Sequence, residues 1–429
     1  MLRTHYVNQL DEGMDGREVT VAGWLHEIRD IGKIVFLLLR DHTGIVQIVA
    51  KRGLTDDKII SGMLLPKESV IMIKGIVNRN GESKKGFEIR PLEVVNLNPL
   101  SAAVPFEVTG KVPADMDVRL DYRYIDLRRL ETTAIFNIQS TVLKGFRNSL
   151  MKKGFQEIVT PSLVEAATEG GTDLFPVQYF EKQAYLTQSP QLYKQLAVIG
   201  GMDRVFIVSK ALRAEKHNTP FHLNESTQMD MEMGFADHED AVKMLKYVST
   251  SIIKDVIKSN AHDLETLKAE RPKTKIKDIT YKEALKALSK EGMEVEFGRD
   301  ISRAEEEELY RKYGDLIIIR EYPTMERAFY SMPKSGEEDV CNSYDLLFRG
   351  LEIASGAQRI HVPNTLIDAL TKRGLNPEDF KFYIDAFRNG APPHAGWSIG
   401  LERMTMKLAG AGNVREASMF PRDRTRVKP

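Results

Sequence analysis

Residues 206–225 read FIVSKALRAEKHNTPFHLNE, and residues 396–406 read GWSIGLERMTM. The first places Arg213 and Glu215 two apart behind an apolar run, so a strand continuing through them points both to one side. The second opens a helix in which Leu401, Met404 and Leu408 form an apolar stripe while Arg403 and Lys407 share another face. Gly400, just before that helix, permits close approach of backbone to a ligand. Arginine is a rigid, permanently charged fork matched to phosphate, so one on each side can grip a bent triphosphate without a glycine-rich cradle. Neither segment is a Walker loop or a Rossmann turn, which argues for an ATP site of unusual architecture.

In MDMEMGF (229–235), Met229, Met231 and Met233 alternate with Asp230 and Glu232, the pattern of a half-buried strand that turns two carboxylates to its other face. The joining segment, Lys216 to Gln228, exceeds the usual hairpin loop of about 2 to 5 residues, and long ordered loops tend to carry binding. His222 lies inside it, between charged strands. In LEIASGAQRIH (351–361), Glu352 on an apolar strand, an irregularity at Ser355 and Gly356, and then Arg359 suit magnesium and a carboxylate. The competing reading of that cluster is a surface salt bridge from Glu352 to Arg359.

The chain of 429 residues suits two or three domains. Cys341 is its only cysteine, which excludes an internal disulfide and a thiolate metal cluster. Lys and Arg together number 61, as do Asp and Glu, so nucleic-acid binding must come from local patches and shape. The polar N-terminus and the lack of any apolar run near the roughly 20 residues of a membrane helix point to a soluble, cytoplasmic protein.

From Val19 to Leu97, five short β-rich runs are separated by turn signals, with a helix expected at TDDKIISGMLLP (55–66). That pattern predicts a five-stranded OB barrel over 1–100, a fold that often binds single-stranded nucleic acid. Residues 101–124 read as a proline-bearing hinge, and 125–429 as a larger body. Within the body, a helix runs to Gly154, QEIVTPSLV (156–164) reads as a strand interrupted by Pro161, and the Lys/Glu-rich stretch 260–320 reads as a small, solvated helical insertion.

FQEIVTPSLV, the stretch from Arg213 to Glu232, and GWSIGLER together resemble the three signature motifs of class II aminoacyl-tRNA synthetases. A barrel ahead of such a body is similar to the subclass that handles aspartate, asparagine and lysine, and the short form is similar to its archaeal-type aspartyl members. The resemblance implies an α+β class, with an antiparallel catalytic sheet flanked by helices and motif 1, including Pro161, at a homodimer interface. It also implies ATP and Mg²⁺, L-aspartate, tRNA(Asp) as acceptor, and no membrane.

Carried onto this chain, the resemblance makes Arg213, Arg403 and Glu352 the catalytic set. Arg213 holds the α-phosphate and substrate carboxylate, Glu215 the adenine amino group, His222 the γ-phosphate, and Arg403 the far side of ATP; Ala214, Phe221, Leu223, Gly400, Leu401 and Glu402 complete that subsite. Glu352 and Ser355 become magnesium ligands. The aspartate subsite takes Gln191, Leu192, Tyr193 and Lys194 from TQSPQLYKQ, with Arg213, Asp230, Ser355 and Arg359; Glu169, in a mobile loop, reads the ammonium. Lys194 and Arg359 pair the side-chain carboxylate, and two cations tuned to a carboxylate discriminate against asparagine by up to roughly 10⁴.

In the barrel, Phe36 and Gln47 correspond to positions that stack on and hydrogen-bond the middle anticodon base, with Arg29 nearby and Lys84 and Lys85 toward phosphates. From the residues alone, Phe36 in IVFLLL reads as a barrel core residue, and the resemblance favours the base-stacking reading over it. Two departures stand out: Phe221 occupies a position where relatives often have arginine, and His26 one where strict members often carry tryptophan. His26 accompanies relaxed reading that also accepts tRNA(Asn), whereas Lys84 looks like the strict form, so the sequence leaves the second acceptor open. The rival readings are an asparagine or lysine synthetase and a catalytically dead RNA-binding paralogue.

Overall fold

The computed structural model describes residues 2–165 and 174–429, which form two compact units, Met1–Thr133 and Ala134–Lys428. In the first, β1 (Glu18–Asp30), β2 (Ile34–Asp41), β3 (Gly44–Lys51), β4 (Val70–Arg79) and β5 (Phe87–Asn98) close into a barrel in the order β1-β2-β3-β5-β4. Alternation drives it: Val35, Leu37 and Leu39 are fully buried inside, while Phe36 and Leu38 between them face outward. The expected helix is α1 (Asp57–Met63), capped by the Asp56 side chain and burying Ile60 and Met63. The hinge stretch 101–124 ends in α2 (Met116–Asp121) and the start of α3 (Arg123–Asp126), tied by buried Asp126 to Arg119 and Arg123 at 2.8 and 2.7 Å.

The second unit is built on α4 (Leu130–Met151), whose Ile135, Ile138, Val142, Phe146 and Leu150 recur at helical spacing in the main core. Then come β6 (Gln156–Glu157), β7 (Leu163–Val164), β8 (Pro176–Tyr179), β9 (Lys182–Leu186), α5 (Gln191–Ile199), β10 (Arg204–Leu212), β11 (Glu225–Gly234), α6 (His238–Ser259) and α7 (Ala261–Thr266). They are followed by β12 (Ile276–Thr280), α8 (Tyr281–Lys290), α9 (Arg303–Tyr313), β13 (Leu316–Arg320), β14 (Pro333–Lys334), β15 (Glu337–Cys341), β16 (Ser343–Phe348) and β17 (Glu352–Gln358). The unit closes with α10 (Pro363–Lys372), α11 (Lys381–Arg388), β18 (His394–Gly400) and α12 (Leu401–Ala409).

Eight strands form one sheet in the order β12-β13-β16-β17-β18-β11-β10-β6, antiparallel except for the end pairs β12–β13 and β6–β10. Tyr344, Gly356, Trp397, Met231 and Phe206 are register partners across five strands and face the helices. A Cβ on Gly356 would stand 2.5 Å from the Tyr344 ring, so only glycine fits between the two aromatics. The next row, Asp345, Ser355, Ser398 and Asp230, faces the opposite way.

Three sequence readings change. Stretch 260–320 is not a solvated helical insertion: it supplies β12 and β13 to the sheet, and its α8 and α9 bury Tyr281, Leu288 and Leu309 against Ile317 and Ile319. QEIVTPSLV forms two two-residue strands in different sheets, because Pro161 cannot donate a ladder hydrogen bond. The strand before Arg213 ends at Leu212, so Arg213 and Glu215 sit in an irregular connection.

Candidate active site

Ser355, Ser398 and Asp230 of the polar row floor a cavity of about 450 Å³, with Asp345 next in the row. Arg213 and Arg403 both line it, as do Glu215, Phe221, His222, Leu223, Gly400 and Glu402. Arg213 donates from Nε to the carbonyl of Gln188 (3.4 Å), and its Nη1 lies 3.9 Å from Glu215 Oε1, so the two lie close together although off the strand. Arg403 donates to the carbonyls of Glu352 (3.1 Å) and Phe221 (3.4 Å), and the Arg303 guanidinium lies 4.7 Å from the Phe221 ring centroid. His222 Nδ1 is 2.5 Å from Thr219 Oγ1; burial, and next the charge of Arg403, lower its pKa and favour the neutral ring. Glu402 accepts the Thr227 N–H with both oxygens. Ala214 and Leu401 do not line this cavity; Leu401 is buried in the main core.

At the far end, four buried charges interlock. Lys194 Nζ lies 2.7 Å from Asp230 Oδ1 and 3.5 Å from Glu232 Oε2, while Arg359 grips Glu232 through Nε (2.9 Å) and Nη2 (3.2 Å). Burial pushes the Glu232 carboxyl up, but Arg359 and then Lys194 outweigh it and hold the carboxyl below its ordinary value. This corrects the simplest reading of the pocket: the two cations are already held by Asp230 and Glu232, and of the two only Arg359 lines the cavity. Gln191 also lines it, its Nε2 buried without a hydrogen-bond partner among the described residues. Leu192 and Tyr193 do not; Leu192 packs with Phe329 and Ile360 in a separate core cluster. Glu169 lies outside the described residues.

Glu352 and Ser355 reach the same cavity, and no salt bridge joins Glu352 to Arg359, whose carboxylate partner is Glu232. Burial, and next the charge of Asp345, push the Glu352 carboxyl up to about 8. Negative charge is thus crowded against two hard oxygen donors, which suits Mg²⁺. Among the described residues no three His, Cys, Asp or Glu side chains cluster as a metal cage.

Three residues were missed in the sequence. Arg327 stacks 3.6 Å from the Tyr322 ring centroid and donates to Asp345 (2.9 Å) and Ser355 (3.3 Å), fixing the floor. Its only signal is an arginine in a long connection beside Pro323. Asp345 is the second. Glu306, from α9, accepts the Glu352 backbone N–H at 2.8 Å, and burial pushes it up to about 7.

In the barrel, Phe36 pairs with Arg29, and Leu38 with Gln47, all on the outer face; Phe36 is therefore not a core residue. Gln47 donates to Glu88 at 3.4 Å, and His26 Nδ1 is 2.8 Å from Arg40 Nη1. Lys84 and Lys85 are exposed in the β4–β5 turn. In the other unit Pro161 is exposed, near Val159 at 96% and Leu163 at 44% exposure. No helix of the described residues is long and apolar enough to cross a membrane.

Residues 115–424 match the family model of class II tRNA synthetases for D, K and N, and residues 19–97 match the OB-fold nucleic acid binding domain. The chain is 45% identical to the aspartate–tRNA(Asp/Asn) ligase of Methanococcus vannielii, covering 100% of this chain and 98% of that protein. It is 45% identical to the aspartate–tRNA(Asp) ligase of Thermoplasma volcanium, covering 99% of each. Its fold superposes on asparaginyl-tRNA synthetase from Pyrococcus horikoshii complexed with asparaginyl-adenylate, with a TM-score of 0.94, 29% identity and full coverage of both chains. With the motif arginines gathered on one cavity over an antiparallel sheet, the chain belongs to the class II aminoacyl-tRNA synthetases of the aspartate, lysine and asparagine group.

Proposed function

We propose that this ligase activates L-aspartate with ATP and transfers it to tRNA(Asp), and also to tRNA(Asn), acting in the cytoplasm as a homodimer. The observation that carries the amino-acid choice is the interlocked set Lys194, Asp230, Glu232 and Arg359. Asp230 and Glu232 hold both cations in place before substrate arrives, and of the two Arg359 lines the cavity, so a side-chain carboxylate meets a guanidinium already oriented by Glu232. Asparagine offers that guanidinium a neutral amide in place of a carboxylate.

In this reading the α-carboxylate oxygen of aspartate attacks the α-phosphorus, and the bond to the bridging oxygen breaks to release pyrophosphate. Arg213 neutralises charge on the α-phosphate and carboxylate, Arg403 does so on the opposite side, and His222 meets the γ-phosphate. Glu352 and Ser355 would hold Mg²⁺, which supplies further neutralisation of the phosphate oxygens. The ribose hydroxyl at the tRNA 3′ end then attacks the aspartyl carbonyl and expels AMP.

The outer-face set Phe36, Arg29 and Gln47 supports anticodon reading by the barrel. His26 and the name of the Methanococcus relative favour tRNA(Asn) as second acceptor, whereas the Thermoplasma relative is named for tRNA(Asp) alone. The exposed apolar residues around Pro161 support the dimer face. The test is aminoacylation of purified tRNA(Asp) and tRNA(Asn) transcripts with aspartate and with asparagine. Charging of both by aspartate alone is expected; charging by asparagine would overturn the amino-acid assignment, and refusal of tRNA(Asn) the second acceptor.

A further inference from the structure

The connection 213–224 has no strand or helix to shape it, yet it carries Phe221 and His222 into the cavity. Its base is pinned through Asn224: Arg213 N–H donates to the Asn224 carbonyl (2.8 Å), Asn224 Nδ2 donates to the carbonyls of Arg213 and Glu215 (2.7 and 2.9 Å), and Asn224 N–H donates to the Arg422 carbonyl (2.9 Å). Its middle is held from a different part of the chain. Arg424 donates to the Lys216 carbonyl (3.1 Å), and Val414 N–H to the Pro220 carbonyl (2.8 Å). The Arg415 guanidinium reaches the Asn218 side chain with Nη2 and the Thr219 carbonyl with Nη1 (3.1 Å).

Arg415 is itself immobilised. Its Nε donates to Asp423 Oδ2 at 2.6 Å, and the other Asp423 oxygen accepts from Thr425 N–H, Thr425 Oγ1 and Arg426 N–H at 2.9 to 3.0 Å. Arg415 and Asp423 are 7% and 8% exposed, so this is a built contact and not a surface pair. On the loop side, the residue Arg415 grips is the one that orients His222: Thr219 Oγ1 contacts His222 Nδ1 and accepts the Phe221 N–H at 3.2 Å. A continuous line therefore runs Asp423, Arg415, Thr219, His222.

We infer that Arg415, anchored by Asp423, is a positioning residue for ATP: it sets the shape of loop 216–222 so that His222 and Phe221 face the triphosphate. The inference rests on the reading of His222 as a γ-phosphate partner. Arginine is specifically required, because its fork donates in three fixed directions at once, to the anchor and to two loop groups. A lysine keeps the charge but is a single point donor. The role falls chiefly on ATP, since Arg415 touches the loop at Asn218 and Thr219 and the Lys194–Asp230–Glu232–Arg359 set contains no member of the loop or of the C-terminal segment.

The experiment is pyrophosphate exchange with full-length protein, varying ATP and aspartate separately, for wild type, Arg415→Met, Arg415→Lys and Asp423→Asn. Both Arg415 variants are expected to raise KM for ATP by about tenfold or more, with KM for aspartate within about twofold of wild type. Asp423→Asn leaves the fork in place but weakens its anchor, and should raise the same constant by a smaller factor. If KM for ATP stays within about twofold of wild type, or if both constants rise in step, the inference is overturned. Should the Arg415 variants not fold, Asp423→Asn decides alone by the same criterion. Equilibrium dialysis with ATP and magnesium reads the loop without aspartate. A wild type that binds ATP but shows no aspartate-dependent exchange therefore fails the functional reading while leaving this one open to the same variants.

Discussion

The Lys194 ammonium sits 2.7 Å from Asp230 and 3.5 Å from Glu232, with all three side chains at 3% exposure or less. Removing one partner of such a buried set strands the others, at a cost of about 3–5 kcal/mol. Lys194→Met should lower the free energy of urea unfolding by that amount and abolish discrimination between aspartate and asparagine in exchange. A loss below about 1 kcal/mol would mean that water or rearrangement compensates the carboxylates.

Gly396 lies across from Glu232 in the sheet, and a Cβ there would stand 2.3 Å from both Glu232 Oε2 and the Met231 carbonyl. The backbone atom cannot swing away, so Gly396→Ala must spread β11 from β18. The expected result is a stability loss of about 1–3 kcal/mol together with a raised KM for aspartate, because Glu232 no longer holds Arg359 in register. Thermal unfolding and exchange kinetics check both halves, and an unchanged KM would show that Arg359 does not depend on that register.

The neutral state of His222 has a consequence for ATP. Burial and Arg403 lower its pKa below the ordinary 6.5, so the unfolded chain takes up a proton first and the neutral ring's contribution to stability, full above 6.5, is lost as pH falls through the folded value. A triphosphate beside the ring reverses the shift, so ATP binding should take up part of a proton near pH 6 to 7. Titration calorimetry in two buffers of different ionisation enthalpy measures it. His222→Gln should abolish the buffer dependence; its persistence in the variant would place the proton elsewhere.

What the sequence reveals and conceals divides along physical lines. Alternation in MDMEMGF was legible as two faces of one strand, but not that both faces are buried, since Asp230 and Glu232 are as enclosed as Met229 and Met231; in the uniformly apolar IVFLLL the sequence does not show that Phe36 faces out. The α12 stripe was legible from its spacing. The run AEEEEL in α9 misleads, because Glu305 and Glu306 are buried: Arg299, just before the helix, takes Glu305 at 2.6 Å, and Glu306 accepts the Glu352 backbone N–H from a distant strand at 2.8 Å. Composition sees four acids and infers solvent. Likewise, no pattern along the chain tells that Lys194 meets Asp230 and Glu232 before it meets any substrate, since that pairing joins α5 to β11.

The outer-face position of Phe36 separates the two activities of the protein. If a base stacks there, Phe36→Ala removes about 1–3 kcal/mol of tRNA binding and should cut aminoacylation kcat/KM by roughly 5- to 150-fold. Pyrophosphate exchange, which needs no tRNA, should be unaffected. A variant impaired in both would indicate that Phe36 supports the barrel instead.

In the proposed mechanism Arg213 bears on the chemistry most directly. It lines the cavity with Arg403 and is oriented by the Gln188 carbonyl and by Glu215, so its fork is set before ATP arrives. Loss of one preorganised donor to a charged transition state costs about 10²–10³ in kcat, and Arg213 is assigned two anions, the α-phosphate and the amino-acid carboxylate. Arg213→Ala should therefore depress exchange by about 10³-fold or more, while the unfolding midpoint moves little because the side chain is 39% exposed. Arg213→Lys should recover only a minor part, since one ammonium cannot bridge two anions as a fork does. Exchange near the wild-type rate in either variant would remove Arg213 from the first step, and with it the argument that two opposed arginines hold the nucleotide.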